Sequence, residues 1–252
     1  MILASFSLYG DVPKYLIGAV RNAERIKDFG SEWQSVFYLG AEIPIEVETE
    51  LQTHGAMIRK WDSTWHKNGM FWRFKAVEEF DYDFVIFRDV DSRISDRELE
   101  ALNQWFVSGK QLHIMRDHPH HNALILGGMW GLASNSMQTY IDWGSVTKYG
   151  TQHGQDQIFL EREVYPNLKK SAHKNDDFFS FPHKVFRFPS ERNGLAYVGE
   201  SVDENEQFDE NLRLDLERCI NSRMEKLRIF TIFSFHRFRK LFSSRNLNIL
   251  IL

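Results

Sequence analysis

Arg88-Asp89-Val90-Asp91-Ser92-Arg93 carries the chain's densest chemistry. Two carboxylates two residues apart can converge on one hard cation. Mg²⁺ or Mn²⁺ suits such a pair, because both take oxygen ligands and fill their remaining positions with water and substrate phosphate. Arg88 and Arg93 flank the pair. Arginine forks match phosphate oxygens, but they equally balance neighbouring carboxylates.

Four further groupings stand out. Phe71-Trp72-Arg73-Phe74 sets one cation among three aromatics that otherwise read as core. Arg116-Asp117-His118-Pro119-His120-His121 offers either hydrogen-bonding groups for sugar hydroxyls or, through its histidines, a metal site. Leu126-Gly127-Gly128-Met129-Trp130-Gly131 implies close backbone approach to a ligand, or a tight bend. In Gly154-Gln155-Asp156-Gln157, a polar group opens a helical stretch. Asp156 there is either a catalytic carboxylate or a first-turn residue favoured by the helix dipole.

These groupings need a frame that aims them at one place. Ile2–Leu8, residues 36–39, residues 56–61, Phe84–Phe87 and residues 112–115 are apolar runs of strand length. Helix-like stretches separate them: Tyr15–Phe29 behind Pro13, Val47–His54 stopped by Gly55, Phe71–Phe80, and Ser95 to Val107. Ser95 and Glu98 form a capping-box signature. The alternation predicts an α/β fold: a mostly parallel sheet covered by helices, with ligands held beyond the carboxyl ends of the strands. The aspartate pair lies where such a ligand would sit, directly after a strand apolar on both faces.

On these residues, residues 1–200 resemble nucleotide-sugar glycosyltransferases of the GT-A fold. The nearest in character are bacterial enzymes of surface-polysaccharide or lipopolysaccharide assembly. The resemblance implies a Rossmann-like catalytic domain and hexosyl transfer from a nucleotide-diphosphate donor to a glycan or glycolipid hydroxyl. It assigns Asp91 to a Mn²⁺ (or Mg²⁺) ion and Asp89 to the donor ribose or the metal shell, with His173 as a late third metal ligand. It places the donor against Phe6, Ser7, Tyr9, Arg73, Arg88, Asp89, Arg116, Asp117, Gly127, Gly128 and Trp130. It gives the chemistry at the acceptor to Asp156 with Gln157, as base in an inverting reaction or as a charge stabiliser in a retaining one. Donor sugar, nucleotide and stereochemical course stay open.

Composition narrows the partners. The 252 residues are 42% hydrophobic, enough for one sizeable core, and the net charge of −4 offers no nucleic-acid-binding surface. A lone cysteine, Cys219, excludes an internal disulfide and a cysteine-built zinc site, and fits a reducing, cytoplasmic setting. The start reads as a strand rather than a signal peptide, and no run is long enough to span a bilayer. Charge divides the chain at residue 211. Residues 212–252 hold nine Lys/Arg against three Asp/Glu, about +6, leaving about −10 on residues 1–211. The expected organisation is therefore a catalytic domain, 1–211, and a basic amphipathic tail, 212–252. The tail is a candidate peripheral contact with the inner face of the plasma membrane, or else a helix packed on the domain.

Three other classes compete. A metal-dependent nucleotidyl- or phosphotransferase also uses paired aspartates, but the Ser7–Pro13 loop has only Gly10 to cradle a phosphate. Aspartyl-phosphate phosphatases carry a related pair close to their first strand, far earlier than Asp89. A non-catalytic carbohydrate-binding protein of the same fold is the third reading.

Overall fold

The computed structural model describes residues 1–61, 67–134, 141–179 and 185–222. Ile2–Leu8 (β1) is buried at six of its seven positions, as a central strand covered on both faces should be. Around it lie Pro13–Asp28 (α1), Trp33–Leu39 (β2), Ile45–Thr53 (α2), Met57–Lys60 (β3), Ala76–Glu79 (α3), Phe84–Arg88 (β4), Asp96–Phe106 (α4), Leu112–Arg116 (β5) and Met129–Ala133 (β6). Gln155–Phe159 (α5), Tyr165–Leu168 (α6), Ala172–Asp176 (β7) and Glu210–Asn221 (α7) complete the described elements.

The seven strands form one sheet in the order β3-β2-β1-β4-β6-β5-β7. The pairs β1–β2, β1–β4, β2–β3 and β5–β7 are parallel, whereas β6 runs antiparallel to both β4 and β5. The expected mostly parallel α/β sheet is therefore present. Its one reversal has a functional consequence, because β6 begins at the edge where β4 ends. Arg88 pairs with Met129, so Gly127 and Gly128 stand beside Asp89.

Two core clusters lie on the two faces. One is built from Phe71, Phe74, Phe87, Trp130 and Phe159; the other from Phe6, Phe37, Ile86, Leu102 and Trp105. Local structure departs from the expected helix at Phe71–Phe80. Gly69–Lys75 winds as a 3₁₀ helix, capped by the Asn68 side chain accepting from Met70 N (3.1 Å), and only Ala76–Glu79 is α-helical. The tighter winding buries Phe71, Trp72, Arg73 and Phe74 together, so the segment acts as a plug on the sheet.

Helix α7 spans the 211/212 position where the charge changes. Leu216 and Cys219 are buried, and Arg213 forks onto Glu200 at 2.6 and 2.9 Å. The rest of the basic tail, from residue 223, lies outside the described residues, and the membrane expectation rests there. Among the described residues, no helix is long and apolar enough to cross a membrane.

Candidate active site

At the carboxyl edge of β1 and β4 a cleft of about 290 Å³ opens. Its walls include Ser7 near the end of β1 and Tyr9 just after it, Arg73 from the 3₁₀ plug, Asp89 and Asp91 after β4, Gly127 before β6, and Asp156 with Gln157 at the start of α5. Eight residues singled out in sequence thus meet in one cavity.

Arg73 organises it. Its backbone is fixed by β1: Ser7 Oγ accepts from Arg73 N (2.9 Å), and Ser5 Oγ donates to Arg73 O (2.7 Å). Its guanidinium, almost wholly buried, divides between two carboxylates. Nη1 donates to Asp89 Oδ1 (2.5 Å) and to the Arg88 carbonyl (3.1 Å), and Nη2 donates to Asp156 Oδ2 (3.1 Å). Burial opposes ionisation of Asp89, but the charge and hydrogen bond of Arg73 outweigh it and hold that carboxyl below its usual range. Asp156 goes the other way. It is 5% exposed, and burial, reinforced by the charge of Asp89, raises its carboxyl against the pull of Arg73. Two carboxylates on one guanidinium are thereby driven apart in basicity, the pattern that separates roles in acid–base sites.

Asp91 Oδ2 pairs with Lys14 Nζ at 3.1 Å, from the first turn of α1. One oxygen of each aspartate is thus engaged by a protein cation, and neither Asp89 Oδ2 nor Asp91 Oδ1 meets a hydrogen-bond donor among the described residues. Two leftover carboxylate oxygens on one cleft wall are hard donors of the kind Mg²⁺ and Mn²⁺ take. Among the described residues no group of three or more His, Cys, Asp or Glu is placed to hold a metal. The two aspartates alone could supply only part of a metal's shell, the rest having to come from water and a ligand's own oxygens.

The glycines have a steric reason. A Cβ on Gly127 would press on the Asp156 carboxylate and lie 2.8 Å from Arg73 Nη2. One on Gly128 would press on the Asp89 carboxylate and lie 2.9 Å from its backbone nitrogen. Only hydrogen fits at either position.

Several expected contacts lie elsewhere. Phe6 is fully buried and stacks on Phe37 at 4.7 Å, because alternation along β1 turns it into the core. Trp130 is also fully buried, stacked on Phe87 at 4.2 Å, with its indole nitrogen donating to Gly127 O (3.2 Å). It supports the glycine turn from below and does not reach the cleft. Arg88 points down toward α4, ion-paired to Glu98 at 2.9 Å.

Arg116 and Asp117 serve the fold. Arg116 pairs with Asp176 at 2.7 Å. Asp117, fully buried, accepts from Arg97 (2.9 and 3.0 Å), Arg192 (2.6 Å) and the Val198 amide (2.9 Å), tying the late segment to the sheet. The neighbouring histidines are used up as well. His118 Nε2 meets Leu212 O at 2.9 Å, while its Nδ1 accepts from His120 N, and His121 Nδ1 accepts from Asp117 N (both 3.1 Å). His173 sits in β7 opposite His113, toward the amino end of the strands. It contacts Gln104 (3.2 Å) and stacks on Phe186, so it does not meet the aspartates.

Sequence reasoning passed over Lys14, Tyr15, Met70, Val90 and His153, which line or face the cleft. Lys14 had a readable signal: a cation in the first turn of the helix after β1, at the edge where ligands bind. His153 lies three residues before Asp156 and had the same claim to notice.

No protein-family model matches this chain, and no curated protein matches it by sequence. Among solved structures it is similar to the mannosyltransferase PcManGT from Pyrobaculum calidifontis, in complex with GDP-Man and Mn²⁺. Identity is 13%, with 76% of this chain and 58% of that one covered and a TM-score of 0.49. It is similar to glucosyl-3-phosphoglycerate synthase from Mycobacterium tuberculosis, in complex with UDP, at 12% identity over 77% of this chain and 72% of that one, with a TM-score of 0.48. The galactosyltransferase LgtC, in complex with donor and acceptor sugar analogs, is 14% identical over 71% of this chain and 74% of that one, with a TM-score of 0.44.

Proposed function

We propose that this protein is a divalent-metal-dependent glycosyltransferase, moving a hexosyl group from a nucleotide-diphosphate donor to a hydroxyl of a glycan or glycolipid. The observation that carries the reading is Arg73, whose fork joins Asp89 to Asp156 in the cleft that also holds Asp91. Charge counting supports it. Three carboxylates face two fixed cations, Arg73 and Lys14, so a diphosphate would enter a site already negative unless a divalent cation came with it.

Asp91 and Asp89 would hold Mn²⁺ or Mg²⁺, which supplies Lewis-acid neutralisation of the departing diphosphate. Arg73 is aimed at the same developing charge and needs no reorganisation, because β1 already fixes its backbone. Asp156 is the proposed group for the acceptor proton. Burial makes it a stronger base than an exposed aspartate, and its Oδ1 is oriented by accepting from Gln157 N (2.9 Å). Gln157 offers its side-chain amide to sugar hydroxyls on the same wall. Ser7, Tyr9 and Gly127 shape the donor side.

A thermal-shift screen of nucleotide sugars with and without Mn²⁺ tests the reading. One nucleotide family should stabilise the protein, only with metal, and Asp91→Ala should abolish that shift while leaving the apo melting temperature near wild type. Equal stabilisation in excess chelator would remove the metal from the proposal.

A further inference from the structure

Arg88 is 1% exposed at the last position of β4, and each arm of its guanidinium has a different partner. Nε faces Glu98 Oε1 at 2.9 Å. Nη2 donates to Ser92 Oγ at 3.0 Å, in the loop that carries Asp89 and Asp91. Nη1 donates to the Gly128 carbonyl, in the turn whose bare Cα faces the Asp89 carboxylate. One buried side chain therefore touches both walls of the cleft from beneath.

Glu98 shows that this arrangement overrides a local rule. Ser95 and Glu98 have the spacing of a capping box, in which each side chain satisfies the other's backbone N–H. Only half of the box forms. Ser95 Oγ accepts from Glu98 N (3.2 Å), but the Glu98 carboxylate, fully buried, makes no hydrogen bond among the described residues and is turned to Arg88. Giving up a cap bond and burying a charge both cost stability. Such departures belong where geometry is needed for something other than stability.

We infer that Arg88, held by Glu98, is a positioning residue that locks the aspartate loop to the glycine turn and so sets Asp89 and Asp91 relative to Gly127 and Asp156. It touches no substrate. Its effect on transfer rests on the proposed function, whereas the lock itself does not. Asn22, by contrast, holds one side: its Nδ2 donates to the carbonyls of Val90 (3.1 Å) and Ser92 (2.9 Å), both in the aspartate loop.

The test uses the full chain. Arg88→Met alone strands a buried carboxylate, so the informative variant is Arg88→Met/Glu98→Gln, which removes both charges at similar volume. Amide hydrogen exchange should speed up by at least about tenfold in both residues 89–93 and residues 126–129, while exchange across β1 and β2 stays unchanged. Mn²⁺ affinity, followed by the electron paramagnetic resonance of the free ion, should weaken in parallel. Wild-type exchange in either segment of the folded double variant overturns the lock. If that variant does not fold, Arg88→Lys decides, since it keeps a charge on Glu98 but lacks a fork. Faster exchange in 89–93 or 126–129 supports the lock, and wild-type exchange in both overturns it. A wild-type protein that neither binds Mn²⁺ nor transfers sugar would sink the proposed function, and the exchange data would still decide the lock.

Discussion

Gly127→Ala is the smallest change that separates a working cleft from a folded one. Its new Cβ would sit 2.9 Å from Asp156 Cγ, closer still to Oδ2, and 2.8 Å from Arg73 Nη2. Ordinary contact begins near 3.4 Å, so the Asp156 carboxylate must retreat, by more than about 1 Å at its outer oxygen. It has little freedom to do so. Asp156 is buried, its Oδ1 is bound to Gln157 N, and its Oδ2 faces Arg73. The retreat stretches the Arg73–Asp156 contact beyond 3.1 Å and moves the proposed base off its line to the acceptor.

A displacement of about 1 Å in a positioned catalytic group costs roughly 10²-fold in rate. Overpacking of this size costs about 1–3 kcal/mol of stability. The assay is initial-rate nucleoside-diphosphate release with the nucleotide sugar picked out by thermal shift, run well below the melting temperature. Gly127→Ala should lose about 10² in kcat with a melting point only several degrees lower. Gly131→Ala is the control. Its Cβ would meet the Val85 carbonyl at 2.7 Å and the Trp105 ring at 2.9 Å, deep in the sheet, so it should lose stability and keep kcat in the molecules that remain folded. If Gly127→Ala keeps kcat within threefold of wild type, Asp156 is not the acceptor base in the geometry described.

Two further expectations concern the groups that the structure moves out of the cleft. Burial lowers His118 to about 4 and His113 to about 3, so between pH 6.5 and those values the unfolded chain binds protons that the folded chain refuses, and stability falls as pH drops. Each contributes a loss of about 2 kcal/mol at pH 5. Glu98, raised by burial to about 7, works in the opposite sense, taking up a proton on folding between about pH 7 and 4.5. The readout is therefore the difference between wild type and His118→Gln in urea melts. It should shift by about 2 kcal/mol in favour of the variant between pH 7.5 and pH 5, and an unchanged difference would show that His118 is protonated in the fold. Trp130→Ala should cost about 3–5 kcal/mol, the range for emptying a core aromatic site, and Trp130→Phe should leave the donor KM unchanged. A raised donor KM in Trp130→Phe would return Trp130 to the binding surface.

The parallel half of the sheet was legible because β1, β2 and β4 bury nearly every side chain and so spell themselves as apolar runs. Strand β7, Ala-His-Lys-Asn-Asp, could not be read that way. Its polar residues are buried by pairing: Asn175 with His113, Lys174 with Tyr165, Asp176 with Arg116. Hydropathy sees the residues and not the partners. The same limit explains His173, which the resemblance made a late metal ligand and which is a strand residue stacked on Phe186. The place of Asp89 was readable from the apolar run before it, whereas Arg73, Gly127 and Asp156 were joined to it through the family resemblance; all four line one cleft. The direction of each arginine was not. Arg73 and Arg88 both neighbour the aspartates, and what separates them is the 3₁₀ winding of one segment and the end of a strand over α4 in the other.

Those two arginines clarify what the cleft is built to do. Arg73 keeps its charge facing the cavity, shared by two carboxylates: it outweighs burial at Asp89 and only opposes it at Asp156. Arg88 has its charge answered from below by Glu98 and offers its remaining donors to loop atoms. Were both cations directed into the cleft, they and Lys14 would only match the three carboxylates, before a diphosphate added its own charge. With Arg88 withdrawn, the cleft is left with Arg73 and Lys14 against three carboxylates. The deficit of positive charge and the rigidity of the two loops then have one origin, the turning of a single arginine into the core. The same side chain proposed to fix where Asp89 and Asp91 stand also leaves them short of positive charge, and a divalent cation held by the two aspartates would remedy that shortage.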